Sequence, residues 1–293
     1  MPPETRYARL EGDRIAYQVL GEGPPDLVLT PGSFGHLDIA WEDPGITLFC
    51  RTLASFCRLI VFDRRGTGLS DPLPPDPLPP WESYAEELAA VLDVVGAERV
   101  ALLSEIDAGP TAIFFATTQP ERTSALILSH TTARLVAADD YPIGIPPEVA
   151  EALLIQIDQL WGSEAMAAML APSRAGDERF RRWFGKMVRA GASPRAAQRL
   201  LRAFMEVDVR PALPLIPAPT LVMHRRDSQR NSCRAWSLSG RVHPQGEIGR
   251  ACRDRRDHLL GEPGPCPGPC RGVSCRCPSG RRTNAGPSNG AVH

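Results

Sequence analysis

Lysine is almost missing from this chain. Lys186 is the only one among 33 basic residues, and arginine supplies the rest. With Arg, Ala, Pro and Gly so frequent, the composition points to a GC-rich coding sequence. Net charge is nearly absent too, at −1, so the chain lacks the electrostatic footprint of a nucleic-acid binder. No apolar run approaches the roughly 20 residues that a membrane-spanning helix needs. The opening Met-Pro-Pro-Glu-Thr-Arg has no signal-peptide core. A cytoplasmic protein without membrane or nucleic-acid partners is expected. The hydrophobic fraction of 43% is ample for a buried core. A length of 293 residues suits one large domain, or a core with an inserted cap.

Cysteine is scarce in the body and crowded at the end. Cys50 and Cys57 stand apart from Cys233, Cys252, Cys266, Cys270, Cys275 and Cys277. The cytosolic reading argues against disulfides. The run Cys266-x3-Cys270-x4-Cys275-x-Cys277 lacks a paired C-x2-C knuckle and contains no His, so no metal site and no cofactor are expected. Charge divides in the same way. From Gln229 onward eleven Arg face four acidic residues, a balance of +7, which leaves −8 for the rest (−1 minus 7).

What is present is an alternation of strand and helix patterns. Tyr7–Leu10 and Arg14–Leu20 flank Glu11-Gly12-Asp13 as a hairpin would. Apolar runs at 26–30, 59–62, 99–104, 125–128 and 219–223 read as buried parallel strands. Glu82 to Val95 is an amphipathic helix closed by Gly96. After Arg99–Ser104 come Glu-Ile-Asp-Ala-Gly-Pro and then a helical pattern that ends at Gln119-Pro120, which makes a strand, a sharp turn and a helix. Helical spacing dominates from Asp139 to about Ala212, over Pro147 to Trp161, Ser163 to Leu170, Asp177 to Ala190 and Ser193 to Phe204. These patterns predict an α/β class, with a mostly parallel sheet flanked by helices. The predicted divisions are a core over 1–138, a helical cap over 139–212, a returning strand within 213–228 and a poorly ordered tail over 229–293.

Three motifs carry a resemblance. Asp63-x-Arg65-Gly66-x-Gly68-x-Ser70 resembles a turn of the α/β-hydrolase superfamily. Pro120-Glu121-Arg122 resembles that family's helix end, and Pro217-x-Pro219-Thr-Leu-Val-Met-His224 its strand before the catalytic acid. Two shorter runs, Ala40–Pro44 and Asp140–Pro142, resemble hydrolase-like modules that precede class III nucleotidyl cyclase domains in some bacterial proteins. The resemblance implies the α/β-hydrolase fold with an inserted cap. It also implies a nucleophile on the turn after Ser104, a His, an acid and two backbone oxyanion donors. Ser33 or Phe34 would supply one donor, and Ala108 the other if Asp107 is the nucleophile.

The turn departs from the family's Gly-x-Ser-x-Gly, because it carries no Ser. A gap-free count back from Pro120 puts Ile106 at the nucleophile position, and Ile cannot attack. A shift of one residue puts Asp107 there. Asp is the nucleophile in the haloalkane dehalogenases and epoxide hydrolases of this fold, where His activates water against the ester intermediate. The alternative is that Asp107 caps the helix that follows. Ser104 lies too early for the elbow and reads as structural. Asp227 is the nearest candidate acid. His258, in Asp257-His258-Leu-Leu, is the family-like His, with His36, His130 and His224 as lesser candidates. Two functions stay open. One is hydrolysis of a small apolar ester, epoxide or halide, in an impaired form. The other is non-catalytic binding of a small apolar ligand that regulates an attached domain, such as a cyclase domain lost from this chain.

After Ser228 the expected helix, strand and helix are replaced by Cys, Arg, Gly, Pro and Ser without periodicity. One choice of synonymous codons for Cys270–Gly280, moved by one base, encodes Val-Glu-Glu-Phe-Leu-Ala-Gly-Ala-Arg-Pro, which resembles the missing last helix. The tail is therefore expected to be largely a frameshifted reading, with Asp257–Gly264 as a patch in the restored frame. Resequencing the gene across codons 220 to 293 tests this. Single-base insertions or deletions flanking that patch are expected, and an intact frame against related genes would end the idea.

Overall fold

The computed structural model describes residues 2–74 and 77–224. Strands β1 (Arg6–Leu10) and β2 (Asp13–Leu20) form an antiparallel hairpin. Glu11 and Gly12 turn it, both with positive φ (+52° and +100°), as a tight two-residue turn requires. Strands β3 (Asp26–Thr30), β4 (Arg58–Phe62), β5 (Val100–Glu105), β6 (Thr123–Ser129) and β7 (Thr220–Met223) complete one sheet, in the order β1-β2-β4-β3-β5-β6-β7. The last five pair in parallel. The five runs expected from the sequence are thus neighbours in one sheet.

Helices cover both faces. Helix α1 (Leu37–Ala40) is a single turn, and α2 (Pro44–Ala54) follows it. The sequence reading missed α2. Its start signal is Asp43-Pro44, and the Asp43 carboxylate accepts from the N–H groups of Gly45 and Ile46, each at 3.0 Å. Helix α3 (Ser83–Val95) ends on Gly96 in the left-handed region, as read from the sequence. Helix α4 (Gly109–Thr118) follows β5. Leu88, Leu92, Ile113 and Phe115, from α3 and α4, pack with Val28, Ile60 and Leu102 on one face of the sheet. Cys50 and Leu53 of α2 pack with Leu27, Leu59 and Leu103 on the other. Each fully buried aliphatic side chain contributes about 1.5–3 kcal/mol. This two-sided burial explains why the parallel strands read as unbroken apolar runs.

Between β6 and β7 the chain runs through α5 (Pro147–Leu160), α6 (Glu164–Leu170), α7 (Glu178–Gly191) and α8 (Pro194–Glu206). The side chains of Ser163, Asp177 and Ser193 cap the last three. This helical insertion lies against the loops that leave β3 and β4. Trp183 donates to the Ile39 carbonyl at 2.8 Å, and the Gly191 carbonyl accepts from Gly68 N–H at 2.8 Å. Among the described residues no helix is long and apolar enough to cross a membrane. Cys50 and Cys57 are free thiols, and burial pushes Cys50 up to about 11. Asp227, His258, the cysteine-rich run and the expected poorly ordered, frameshifted tail over 229–293 lie outside the described residues.

The loop after β4 fixes the surroundings of β5. Asp63 is buried and takes two backbone donors on one oxygen, Leu37 N–H at 3.1 Å and Leu69 N–H at 2.9 Å. Any side chain at Gly68 would collide with that carboxylate, which explains the second glycine of the motif. Arg65 Nε donates to the fully buried Glu87 at 2.7 Å, and Glu87 also accepts the Arg65 backbone N–H at 3.0 Å. Burial pushes the Glu87 carboxyl up, and Arg65 pulls it back down.

Arg65→Met would leave Glu87 buried with its cation removed. It is expected to cost about 3–5 kcal/mol in chemical denaturation. Glu151→Ala, which breaks an exposed pair with Arg202, should cost under about 1 kcal/mol. Equal losses would contradict this account. Burial also pushes Asp63 from 3.8 to about 6, against the pull of its two backbone donors. A raised value means that the folded state holds the proton longer. The stability this group lends is complete below about pH 4 and is lost as pH rises through about 6. Asp63→Asn keeps an oxygen for both donors and cannot ionise. Between pH 4 and 7 its stability relative to wild type should therefore rise by about 2 kcal/mol. A difference that does not change with pH would show that Asp63 does not titrate in this window.

Candidate functional site

The carboxyl end of β5 turns sharply into α4 through one 3-10 turn, Ile106–Ala108. Ile106 sits at φ +51°. A β-branched residue rarely adopts this region, and holding one there costs about 1–3 kcal/mol. The residue is nonetheless 54% exposed, so burial of its side chain offsets little of that cost. The turn therefore presents Ile106, the residue that the gap-free count puts at the nucleophile position. Gly109 cannot carry a side chain, because a Cβ there would stand 2.1 Å from Thr131 Oγ1. That close approach seats the start of α4 against the loop after β6.

Asp107 points elsewhere. Its Oδ2 accepts the Ser33 backbone N–H at 2.8 Å and bonds the Ser33 hydroxyl. Arg64 Nη2 donates to the same hydroxyl and lies 3.5 Å from Asp107 Oδ2. The carboxylate makes no cap on α4, whose N-terminus has no side-chain cap hydrogen bond. The helix-cap alternative is thereby corrected, because the side chain reaches across to the loop after β3 instead. Gly32 leaves room for it, since a Cβ there would lie 3.0 Å from Asp107 Oδ1.

Arg64 is the residue the sequence reading missed. It fills the variable position of Asp63-x-Arg65, where the motif gives no signal. Its side chain is 2% exposed, against 13% for Asp107. Its Cζ lies 4.9 Å from the ring centroids of both Trp81 and Tyr84. Its Nε and Nη1 have no hydrogen-bond partner among the described residues.

The remaining candidates are scattered. Ala108 is fully buried behind the turn. Phe34 is half-buried and meets Trp161 edge-on, with centroids 5.2 Å apart. Ser104 is buried and bonded to Thr30, a structural role. His36 precedes α1, and burial lowers its pKa. His130 and His224 follow β6 and β7, with ring centroids 6.0 Å apart, and His130 Nδ1 lies 2.9 Å from Ser129 Oγ. Phe34, Leu135, Ile145, Leu153 and Trp161 gather around Leu154, Leu200 and Phe204. The insertion thus turns an apolar side toward the loops after β3 and β4. Among the described residues no cluster of His, Cys, Asp or Glu could hold a metal ion.

No protein-family profile matches the chain. The bifunctional esterase/perhydrolase of Acinetobacter calcoaceticus is 24% identical over 187 residues, which are 59% of this chain and 64% of that protein. The chain therefore spans just under two thirds of that relative. Among solved structures, an esterase from Exiguobacterium antarcticum superposes with a TM-score of 0.69 at 19% identity, covering 85% of this chain and 90% of that one. A hydrolase from Pseudomonas aeruginosa gives 0.68 at 21% identity, covering 84% and 89%. A bromoperoxidase from Bacillus anthracis gives 0.65 at 21% identity, covering 84% and 91%. At such identities the likeness speaks to the fold alone, and the fold is that of the α/β hydrolases.

Proposed function

We propose that this α/β-hydrolase-fold protein binds a small apolar ligand between its helical insertion and the β5 elbow, without turning it over. One observation carries the reading: the strained, exposed elbow position holds Ile106. Acyl transfer on this fold needs a nucleophile there, facing backbone donors that stabilise the developing oxyanion. An isoleucine side chain has no lone pair to offer. It does offer exposed apolar surface.

The second reading is an impaired hydrolase of an ester, epoxide or halide with Asp107 as nucleophile. It is favoured by the place of Asp107 in the elbow turn and by the esterase named among the similar proteins. A carboxylate needs no base to attack, but its ester intermediate needs an activated water, and His258 with Asp227 would have to supply it. As a binding module, the chain would report ligand occupancy to a partner domain. The runs Ala40–Pro44 and Asp140–Pro142 favour a nucleotidyl cyclase domain for that role.

The test uses the full chain with p-nitrophenyl butyrate, styrene oxide and 1-chlorobutane as probes, followed by calorimetry and intact-mass spectrometry. Saturable binding without turnover or adduct is expected. Ile106→Glu should weaken binding at least about tenfold, or about 1.4 kcal/mol, while the unfolding midpoint stays near wild type. A covalent adduct on Asp107 would establish the second reading instead. Turnover that survives Asp107→Asn would overturn both.

A further inference from the structure

The backbone N–H of Ser33 is, with that of Phe34, a candidate oxyanion donor from the loop after β3. Here it is already taken. Asp107 Oδ2 holds it at 2.8 Å, together with the Ser33 hydroxyl, and Arg64 stands behind that hydroxyl. We propose that Ser33 and Arg64 form a carboxylate-binding cradle that the chain keeps filled with its own Asp107, so that an internal anion closes the oxyanion position.

Three features support the proposal. The donor set suits a carboxylate: one backbone N–H, one hydroxyl and one guanidinium converge on a single oxygen. The cation is buried beyond the reach of water, and Asp107 is the one carboxylate in salt-bridge range of it among the described residues. A buried arginine without an anion is costly, so the cradle has to be occupied. Finally, Asp107 serves no helix N-terminus, which leaves the cradle as its structural role. While Asp107 is in place, a ligand bearing a carboxylate, or a carbonyl that seeks the same donors, is excluded. A neutral apolar ligand needs none of these donors and is admitted.

The test is to empty the cradle and refill it. In Asp107→Ala, sodium acetate at about 100 mM should raise the thermal midpoint by several degrees over sodium chloride of equal ionic strength. Wild type should move by less than about one degree, because its cradle is full. Acetate that leaves the variant unchanged, or stabilises both proteins equally, would overturn the proposal. Should Asp107→Ala fail to fold in chloride, two further measurements decide. It should fold in acetate. In the cycle of Asp107→Asn, Arg64→Met and the double variant, the two sites should be coupled by at least about tenfold in the unfolding equilibrium. Failure to fold in acetate, or additivity in the cycle, would count against the cradle. Acetate binding and apolar-ligand binding are read separately, so this inference and the proposed function can fail independently.

Discussion

Three successive charged residues, Asp63, Arg64 and Arg65, are buried where β4 ends. Charge cannot be left unpaired in such a place, and each of the three is met differently. Asp63 takes two backbone N–H groups, one from Leu69 in its own loop and one from Leu37 at the start of α1. Arg65 takes Glu87 on α3. Arg64 takes the Ser33–Asp107 pair and the faces of Trp81 and Tyr84. Through these partners one loop binds the hairpin side of the sheet, α3, the loop after β3 and the elbow into a single unit. Gly68, which the Asp63 carboxylate obliges to be glycine, then hands its N–H to Gly191 in the helical insertion. The insertion is anchored by the same demand for charge satisfaction.

This arrangement explains which features could be read in advance. Strand positions follow from hydrophobicity, because strands covered on both faces are apolar in their middles, and Leu27–Leu29 and Ala125–Leu128 are. The helices of the insertion follow from caps such as Ser193-Pro194 and from apolar spacing. The Asp63–Ser70 loop was legible as a motif because its glycines answer steric demands that recur wherever that carboxylate is buried. Helix α2 was overlooked although Asp43-Pro44 announces it.

The site resisted for a different reason. Whether Ile106 or Asp107 stands on the elbow depends on which residue takes the positive φ, and composition does not reveal that. Propensity alone would have given it to Asp107, since Asp tolerates the left-handed region better than a β-branched residue. The structure gives it to Ile106, because Asp107 is claimed by Ser33 and Arg64. The pull of a buried cation on a carboxylate outweighs the local cost of about 1–3 kcal/mol at the isoleucine. Arg64 lies 43 residues away in sequence and in a position the motif leaves free, so nothing near the turn foretold it.

It follows that the elbow and the cradle are one choice. A serine at position 106 would place a hydroxyl on the elbow, yet the Ser33 N–H, one proposed oxyanion donor, would remain bound to Asp107. Removing Asp107 would free the donor, yet leave Arg64 without its anion. Neither change alone yields the arrangement that acyl transfer needs, in which nucleophile and free donors face the same reacting atom. On the proposed reading, an isoleucine at the elbow and an oxyanion position filled by Asp107 would reinforce each other. Under that proposal the fold and its apolar covering would remain able to hold a ligand that is not attacked.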